Sequence, residues 1–232
     1  MSLSRRMLTP FLLVVALGCG KSKSPTGPSN TNHAPVIGTL TVSPTFGVSG
    51  LTTINMSAAA TDSDGDALTY AWSFGSSTAS GTSASAKITG DGPVSVKLTV
   101  TDSKGSATTD SRTVTIGTIT GSWDFAVTGV CGDVVPDQPA VFVLTQTGTR
   151  IDGALNFPGR WCAANAGTHG ELSQNSPGSI DDQGNVSMPR VPIGSFGDMR
   201  LANGKMDSTG RKITGNAFDS GFSGEAFVMT KK

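Results

Sequence analysis

The stretch that decides the fold is residues 60–74, "ATDSDGDALTYAWSF", in which an Asp-rich segment leads directly into an alternating one. Every second residue from Leu68 to Phe74 is apolar, so these side chains share one face of an extended strand. The preceding DSDGD segment consists of residues that favour turns. The stretch therefore predicts a turn followed by a half-buried strand, with Trp72 at the centre of a core.

The same alternation recurs on both sides of this stretch, with turn-forming segments in between. The further sets are Leu40 and Val42; Ile54, Met56 and Ala58; Val94, Val96, Leu98 and Val100; and Val114 and Ile116. Short strands at this spacing are typical of an antiparallel sandwich. No window shows a sustained helical period, so the predicted fold class is all-β.

Three segments carry a family resemblance: the opening "NHAPV", the run "ATDSDGDALTYAWSFG" and the ending "VSVKLTVTDSKGSATTDSRTVTI". Together they resemble a PKD domain, the polycystic-kidney-disease type of immunoglobulin-like fold. The resemblance covers residues 35–117. It implies an immunoglobulin-like β-sandwich that acts as a spacer or interaction module rather than as a catalyst.

A composition shift at "IGTITGSWDF" marks a second domain, residues 119–232, which we expect to fold independently of the first. Its predicted strands lie near 122–130, 140–147, 150–157, 168–173, 184–190, 197–203, 211–218 and 224–230. Residues 147–153 and 209–215 both fit the pattern T-G-x-[RK]-I-x-G, in which a Thr-Gly turn leads into a strand. Two such hairpins favour a small up-and-down β-barrel or a curled sheet.

The Gly121-x-Trp123 opening of this domain resembles a lipocalin-like barrel. The resemblance implies that Trp123 closes one barrel end and that the interior is either a packed core or a small-ligand cavity. Residues suited to line such a cavity are Phe142, Leu144, Leu155 and Phe218.

The N-terminus predicts export and anchoring. Arg5 and Arg6 precede an apolar run over residues 8–17, which is shorter than the ~20 residues needed to span a bilayer and is typical of a signal peptide, residues 1–18. The segment "VALGC" ending at Cys19 resembles the lipobox of bacterial lipoproteins; an ordinary secretory signal is the alternative. The resemblance implies cleavage before Cys19, acylation of its thiol by palmitate-like chains, and a membrane-anchored protein.

The residues after Cys19 predict a place in the bacterial cell envelope. Residues 19–34 are rich in Ser, Pro, Thr, Gly and Asn, so they are expected to form a flexible tether. Gly20 in place of Asp permits sorting to an outer membrane.

The remaining cysteines, Cys131 and Cys162, form an even pair in an exported chain, which predicts a disulfide.

Asp62, Asp64 and Asp66 have the spacing of the first ligands in a calcium loop, with Asp102 as a further candidate ligand. An EF-hand also needs Glu at its twelfth position, which here is Ser73, so the EF-hand interpretation is rejected. Two interpretations stay open: a structural turn closed by Asp side-chain hydrogen bonds, and a weak calcium site.

The sequence contains no nucleophile elbow, metalloprotease helix or phosphate-binding loop, so no enzymatic activity and no further cofactor are predicted. Lys plus Arg and Asp plus Glu number 17 each, which argues against nucleic-acid binding.

The candidate binding residues Arg160, Trp161 and His169 fall in one Gly-rich region. Trp161 either stacks on a sugar or covers the disulfide. We therefore expect a non-enzymatic binding or adhesion protein with a protein or carbohydrate partner, and a lipocalin-like carrier of an apolar small molecule is the alternative.

Overall fold

The computed structural model describes residues 31–127, 140–157, 168–172, 175–192, 197–218 and 223–232. These residues form strands and connecting turns, which confirms the all-β prediction. Over the same residues, no helical segment is long and apolar enough to cross a membrane. Residues Asn32–Lys232 form one compact unit.

The first part of this unit is a sandwich of two sheets. The strands are β1 (Val36–Ser43), β2 (Phe46–Val48), β3 (Thr53–Thr61), β4 (Leu68–Phe74), β5 (Ser77–Ser80), β6 (Ser83–Lys87), β7 (Gly92–Asp102) and β8 (Ala107–Gly117). One sheet has the order β1-β3-β6, and the other has the order β2-β8-β7-β4-β5. All pairings are antiparallel except that of β2 with β8.

The alternating residues form the sandwich core, as predicted. Val96, Leu98 and Val100 are fully buried, and Trp72 is 1% exposed. The Trp72 indole nitrogen donates a hydrogen bond to the Gly81 carbonyl at 2.8 Å, so its polar atom is satisfied inside the core. The strand that follows the Asp-rich turn therefore holds the two sheets together.

The second part is a closed barrel of eight antiparallel strands. The strands of this part are β9 (Gly121–Val127), β10 (Ala140–Thr147), β11 (Arg150–Phe157), β12 (Thr168–Glu171), β13 (Gly178–Ile180), β14 (Asn185–Pro192), β15 (Asp198–Met206), β16 (Lys212–Phe218) and β17 (Ser223–Lys231). The barrel order is β9-β10-β11-β13-β14-β15-β16-β17, and β17 pairs with β9 to close the barrel. The short strand β12 pairs with the last residues of β11. Closure leaves the barrel without the exposed edges of an open sheet.

The inward side chains of the barrel form one contiguous apolar cluster. Phe125 packs edge-on against Phe142, with ring centroids 5.3 Å apart. Leu144 and Leu155 are also buried in this cluster. Phe218 lies outside it, because alternation along β16 turns the buried Ala217 inward and Phe218 outward, where the Arg200 guanidinium lies 4.6 Å from its ring. The expected cavity-lining set is therefore wrong for Phe218.

The two T-G-x-[RK]-I-x-G segments both lie at hairpins, β10–β11 with a turn over residues 148–149 and β15–β16 with a longer turn over residues 207–211. Gly148 and Gly210 occupy the turns with φ of 59° and 69°, a conformation that favours glycine. Ile151 and Ile213 both point into the barrel and are fully buried. Both turns lie at the same end of the barrel as the β13–β14 turn; we call this the proximal end and the opposite one the distal end.

The proximal end contacts the sandwich. Val48 of β2 is fully buried and belongs to the apolar cluster of the barrel, not to that of the sandwich. The connection between the domains is only Thr118–Thr120, because β8 ends at Gly117 and β9 begins at Gly121. Trp123 is buried near this end and donates its indole hydrogen to the Ile119 carbonyl at 2.8 Å.

Candidate functional site

The Asp-rich turn joins β3 to β4 at the end of the sandwich far from the barrel. The Asp62 carboxylate accepts hydrogen bonds from the backbone amides of Asp64 at 2.9 Å and Asp66 at 3.2 Å. Gly65 adopts a φ of 74°, which favours a residue without a Cβ atom. These bonds are those of the structural turn that the sequence predicts.

The turn also brings three carboxylates together. One oxygen from each of Asp62, Asp64 and Asp66 lies within 4.8 Å of the others. Two basic side chains approach this acidic cluster: the Lys104 ammonium lies 3.1 Å from Asp66, and His33 Nδ1 lies 3.1 Å from Asp64. The chain therefore supplies one ammonium group and one imidazole ring of its own to this site.

These contacts shift the titration of the cluster. The backbone amide of His33 donates to Asp64 at 2.7 Å and is the main group that lowers the pKa of that carboxyl. The hydrogen bond to the Asp66 carboxylate is the main cause of the raised pKa of Lys104. Both shifts favour the charged forms of the two groups.

Asp102, the fourth candidate ligand, does not belong to this cluster. Its carboxylate accepts hydrogen bonds from the backbone amides of Lys104 and Ser106, both at 2.9 Å, and from the Asn32 side chain at 2.8 Å. Burial alone would raise the pKa of Asp102, but these hydrogen bonds outweigh it and lower that pKa. Asp102 thus closes the β7–β8 turn and holds the start of the described chain against the sandwich.

The acidic cluster fits a calcium ion in part. Oδ2 of Asp62 is buried without a hydrogen-bond partner, and hard cations prefer carboxylate oxygens. However, calcium takes about six to eight oxygen ligands, and the Lys104 ammonium competes for the same carboxylates. The structural turn accounts for the two hydrogen bonds that Asp62 accepts, whereas calcium binding at Asp62, Asp64 and Asp66 stays a prediction.

His169 is the candidate binding residue of the barrel that the structure describes, and it lies near the distal end. Cys131 follows β9 and Cys162 follows β11, and both cysteines, Arg160, Trp161 and the lipidation candidate Cys19 lie outside the described residues. His169 belongs to β12, where it pairs with Asn156 of β11. The strand ends that lead into these connections, Val127 and Phe157, lie together at the distal end.

The contact between sandwich and barrel was missed by the sequence analysis. Thr52 accepts a hydrogen bond from the Val48 amide at 2.8 Å and donates one to the carbonyl of Asp182 in the barrel. Lys231 in β17 forms an ion pair with Asp91 of the sandwich. Each of these residues has an ordinary sequence context; the one available signal was the short connection of residues 118–120.

The sandwich defines this part of the molecule as an immunoglobulin-like domain. Residues 32–116 match the family model of the PKD domain. The chain is 33% identical to the PKD1 domain of Vibrio anguillarum Epp, over 37% of this chain and 96% of that one, with a TM-score of 0.31. It is 30% identical to the PKD1 domain from Vibrio cholerae metalloprotease PrtV, over 36% of this chain and 98% of that one, with a TM-score of 0.31.

The chain therefore belongs to the PKD-domain family, through residues 32–116. A structure of carbohydrate-binding modules from the beta-sandwich superfamily is 19% identical over 54% of this chain and 59% of that one, with a TM-score of 0.36, which is too distant to indicate a shared ligand. No curated protein sequence matches the chain.

Proposed function

We propose that the protein is a lipid-anchored, non-enzymatic binding or adhesion protein of the bacterial cell envelope. In this proposal, Cys19 carries the acyl chains, residues 19–34 form the tether, and the distal end of the barrel contacts a protein or carbohydrate. PKD domains belong to a class of immunoglobulin-like modules suited to binding and support, which agrees with a role of this kind.

One observation carries the proposal. Asn32 and His33 lie on one side of the contact between sandwich and barrel, and the distal strand ends of the barrel lie on the other side. Asn32 and His33 are bound at the end of the sandwich far from the barrel. The proximal end of the barrel is covered by Val48 and its neighbours. An anchor attached before Asn32 would thus leave the distal end of the barrel free to meet a partner.

The chemistry expected at the distal end favours a polar partner. Arg160 supplies five donors in a planar arrangement, and Trp161 supplies a flat apolar face with one donor. Stacking by an aromatic ring combined with directed hydrogen bonds suits a sugar ring or a polar protein loop. The overall balance of 17 basic and 17 acidic residues gives no attraction to nucleic acid.

The test is a binding assay with the full-length protein held in detergent micelles. Purified envelope polysaccharide and a detergent extract of envelope proteins from the native host are the two probes. We expect Trp161→Ala and Arg160→Ala to abolish binding to one of these probes, which identifies the partner class. Thr149→Ala, an exposed change at the proximal end, serves as the matched control. Binding that survives both Trp161→Ala and Arg160→Ala would contradict a binding site at the distal end.

A further inference from the structure

The proximal end of the barrel is completed by residues of the sandwich. Val48 is fully buried in the barrel's apolar cluster, and Phe46 and Leu51 pack against the same cluster. We infer that this end is a docking surface for residues 46–52 of the same chain, and that sandwich and barrel unfold as one cooperative unit. The inference is independent of the proposed function.

Val48 belongs to the sandwich by its backbone, but its side chain packs in the apolar cluster of the barrel. The backbone of β2 pairs with β8, where Val48 lies opposite Gly117. The Val48 side chain is nevertheless packed with barrel residues; for example, its Cγ2 lies 3.6 Å from the position of a Cβ built on Gly184. Removing the sandwich would expose the apolar barrel residues around Val48 to water, which is unfavourable.

Two glycines allow the backbones of the domains to touch. A Cβ atom on Gly210, in the β15–β16 turn, would lie 2.7 Å from the Cα atom of Gly117 in β8. A Cβ atom on Gly117 would lie 2.8 Å from the sulfur of Met206. Distances this short leave no room for a side chain, so the two domains are packed as tightly as a protein interior.

Polar contacts fix the orientation of the two domains. The Gln146 side chain in β10 donates to the Ser49 carbonyl at 3.3 Å and accepts from the Ile119 amide at 3.2 Å. The Thr52 hydroxyl links Val48 to the barrel carbonyl of Asp182. Because these groups are partly or fully buried, their hydrogen bonds favour this one arrangement of sandwich and barrel.

The short connection removes most of the entropic cost of docking. Only Thr118–Thr120 separate β8 from β9, and Ile119 is itself buried in the barrel cluster. The loop-closure cost rises with the logarithm of loop length, so it is small for a connection of this kind. The two domains therefore stay docked, which differs from the independent folding that the composition shift predicts.

The repeated hairpin provides a matched pair of variants for the test. Gly148 and Gly210 occupy the same place in the repeat and both have positive φ, but a Cβ atom on Gly148 would meet nothing within 4 Å. Gly148→Ala therefore strains the backbone of its turn without disturbing any neighbour. Gly210→Ala strains its turn and also disturbs the contact with Gly117. Hydrogen exchange of the full-length chain, followed by mass spectrometry, gives separate readouts for sandwich and barrel peptides.

We expect Gly210→Ala to accelerate exchange in sandwich strands β7 and β8 at least tenfold more than Gly148→Ala does. Reciprocally, Val48→Ala is expected to accelerate exchange in the barrel strands β14 and β15. If either variant fails to fold, Thr52→Val replaces it; this change keeps the side-chain shape and removes the hydrogen bond to Asp182 together with the one accepted from the Val48 amide. Unchanged exchange in the domain that does not carry the substitution would overturn the inference.

Discussion

Lys231 of the last barrel strand forms an ion pair with Asp91 of the sandwich, with 2.9 Å between Nζ and Oδ2. Its side chain is only 5% exposed, and its ammonium also donates to the Thr118 carbonyl at 2.8 Å. The same ammonium lies 5.5 Å from the centroid of the Trp123 ring. One side chain thus joins the sandwich, the connection and the barrel.

We expect Lys231→Met to lower the free energy of unfolding by about 1–2 kcal/mol, because it keeps the apolar stem and removes the hydrogen bonds of the ammonium to Asp91 and to the Thr118 carbonyl. Chemical denaturation measures this change. Lys232→Met is the matched control, since Lys232 pairs with Asp124 at the surface, where such pairs contribute about 0–1 kcal/mol. Equal effects of the two substitutions would contradict the assigned role of Lys231.

The lowered pKa of Asp102 predicts a pH-dependent stability. The pKa in the folded state lies below the unfolded value of about 4, so ionised Asp102 stabilises the fold above about pH 4. This contribution is lost as the pH falls through the lowered pKa. Asp102→Asn is therefore expected to lower the melting temperature at pH 7 and to have a progressively smaller effect as the pH falls below about 4.

Melting curves across this pH range measure the difference. The exposed Asp110, which pairs with Arg112, provides the control Asp110→Asn. We expect that control to change the melting temperature little across this range. A constant effect of Asp102→Asn from pH 7 to acid would show that the charge of Asp102 plays no part.

Competition with Lys104 predicts how the acidic cluster responds to calcium. Lys104→Met removes the ammonium 3.1 Å from Asp66 and leaves three carboxylates without that counter-charge. We expect calcium to raise the melting temperature of Lys104→Met more than that of the wild type. Adding Asp64→Ala to Lys104→Met should abolish the increase, and an equal calcium response in all three proteins would leave only the structural turn.

The proposed anchor predicts a loss of membrane association in Cys19→Ser. Acylation needs the Cys19 thiol, and each buried methylene of the acyl chains contributes roughly 0.8 kcal/mol to membrane binding. The variant should move from the detergent phase to the aqueous phase on phase separation. Ser24→Ala, a change in the predicted tether, is the control that should stay in the detergent phase. Unchanged partitioning of Cys19→Ser would contradict the anchor.

The predicted disulfide between Cys131 and Cys162 would close a loop of about 30 residues, which the chain-entropy model values at roughly 3–4 kcal/mol. A reducing agent is therefore expected to lower the melting temperature of the exported protein. Cys131→Ala/Cys162→Ala is the control that should melt at this lower temperature with or without the reducing agent. Two free thiols in the intact mass under non-reducing conditions would contradict the pairing.

The sequence predicted the parts of the fold in which apolar residues alternate. The strand from Leu68 to Phe74 and the barrel strands over 140–147 and 150–157 lie where the pattern places them. Strands β5 and β6 contain only Ser, Thr, Ala and a final Lys, so they lack the contrast that alternation requires. Strand β13, Gly178–Ile180, is too short to show a period.

The domain contact escaped prediction for a different physical reason. Val48 has the local pattern of a sandwich residue, and Gly210 has that of any hairpin turn. Their roles depend on the contact between the sandwich and the barrel. That contact joins residues far apart in the sequence, so no local pattern predicts it. The acidic cluster was found because turn-forming residues and carboxylates coincide within one short segment, Asp62–Asp66.

The buried position of Val48 has a consequence for protein engineering. A PKD domain taken from another protein could reproduce the sandwich and still leave the barrel open at its proximal end. A functional chimera would have to keep residues 46–52 together with Gly117, the connection and the three proximal turns. The boundary at which this protein can be cut and recombined therefore lies before Asn32, and not between its two domains.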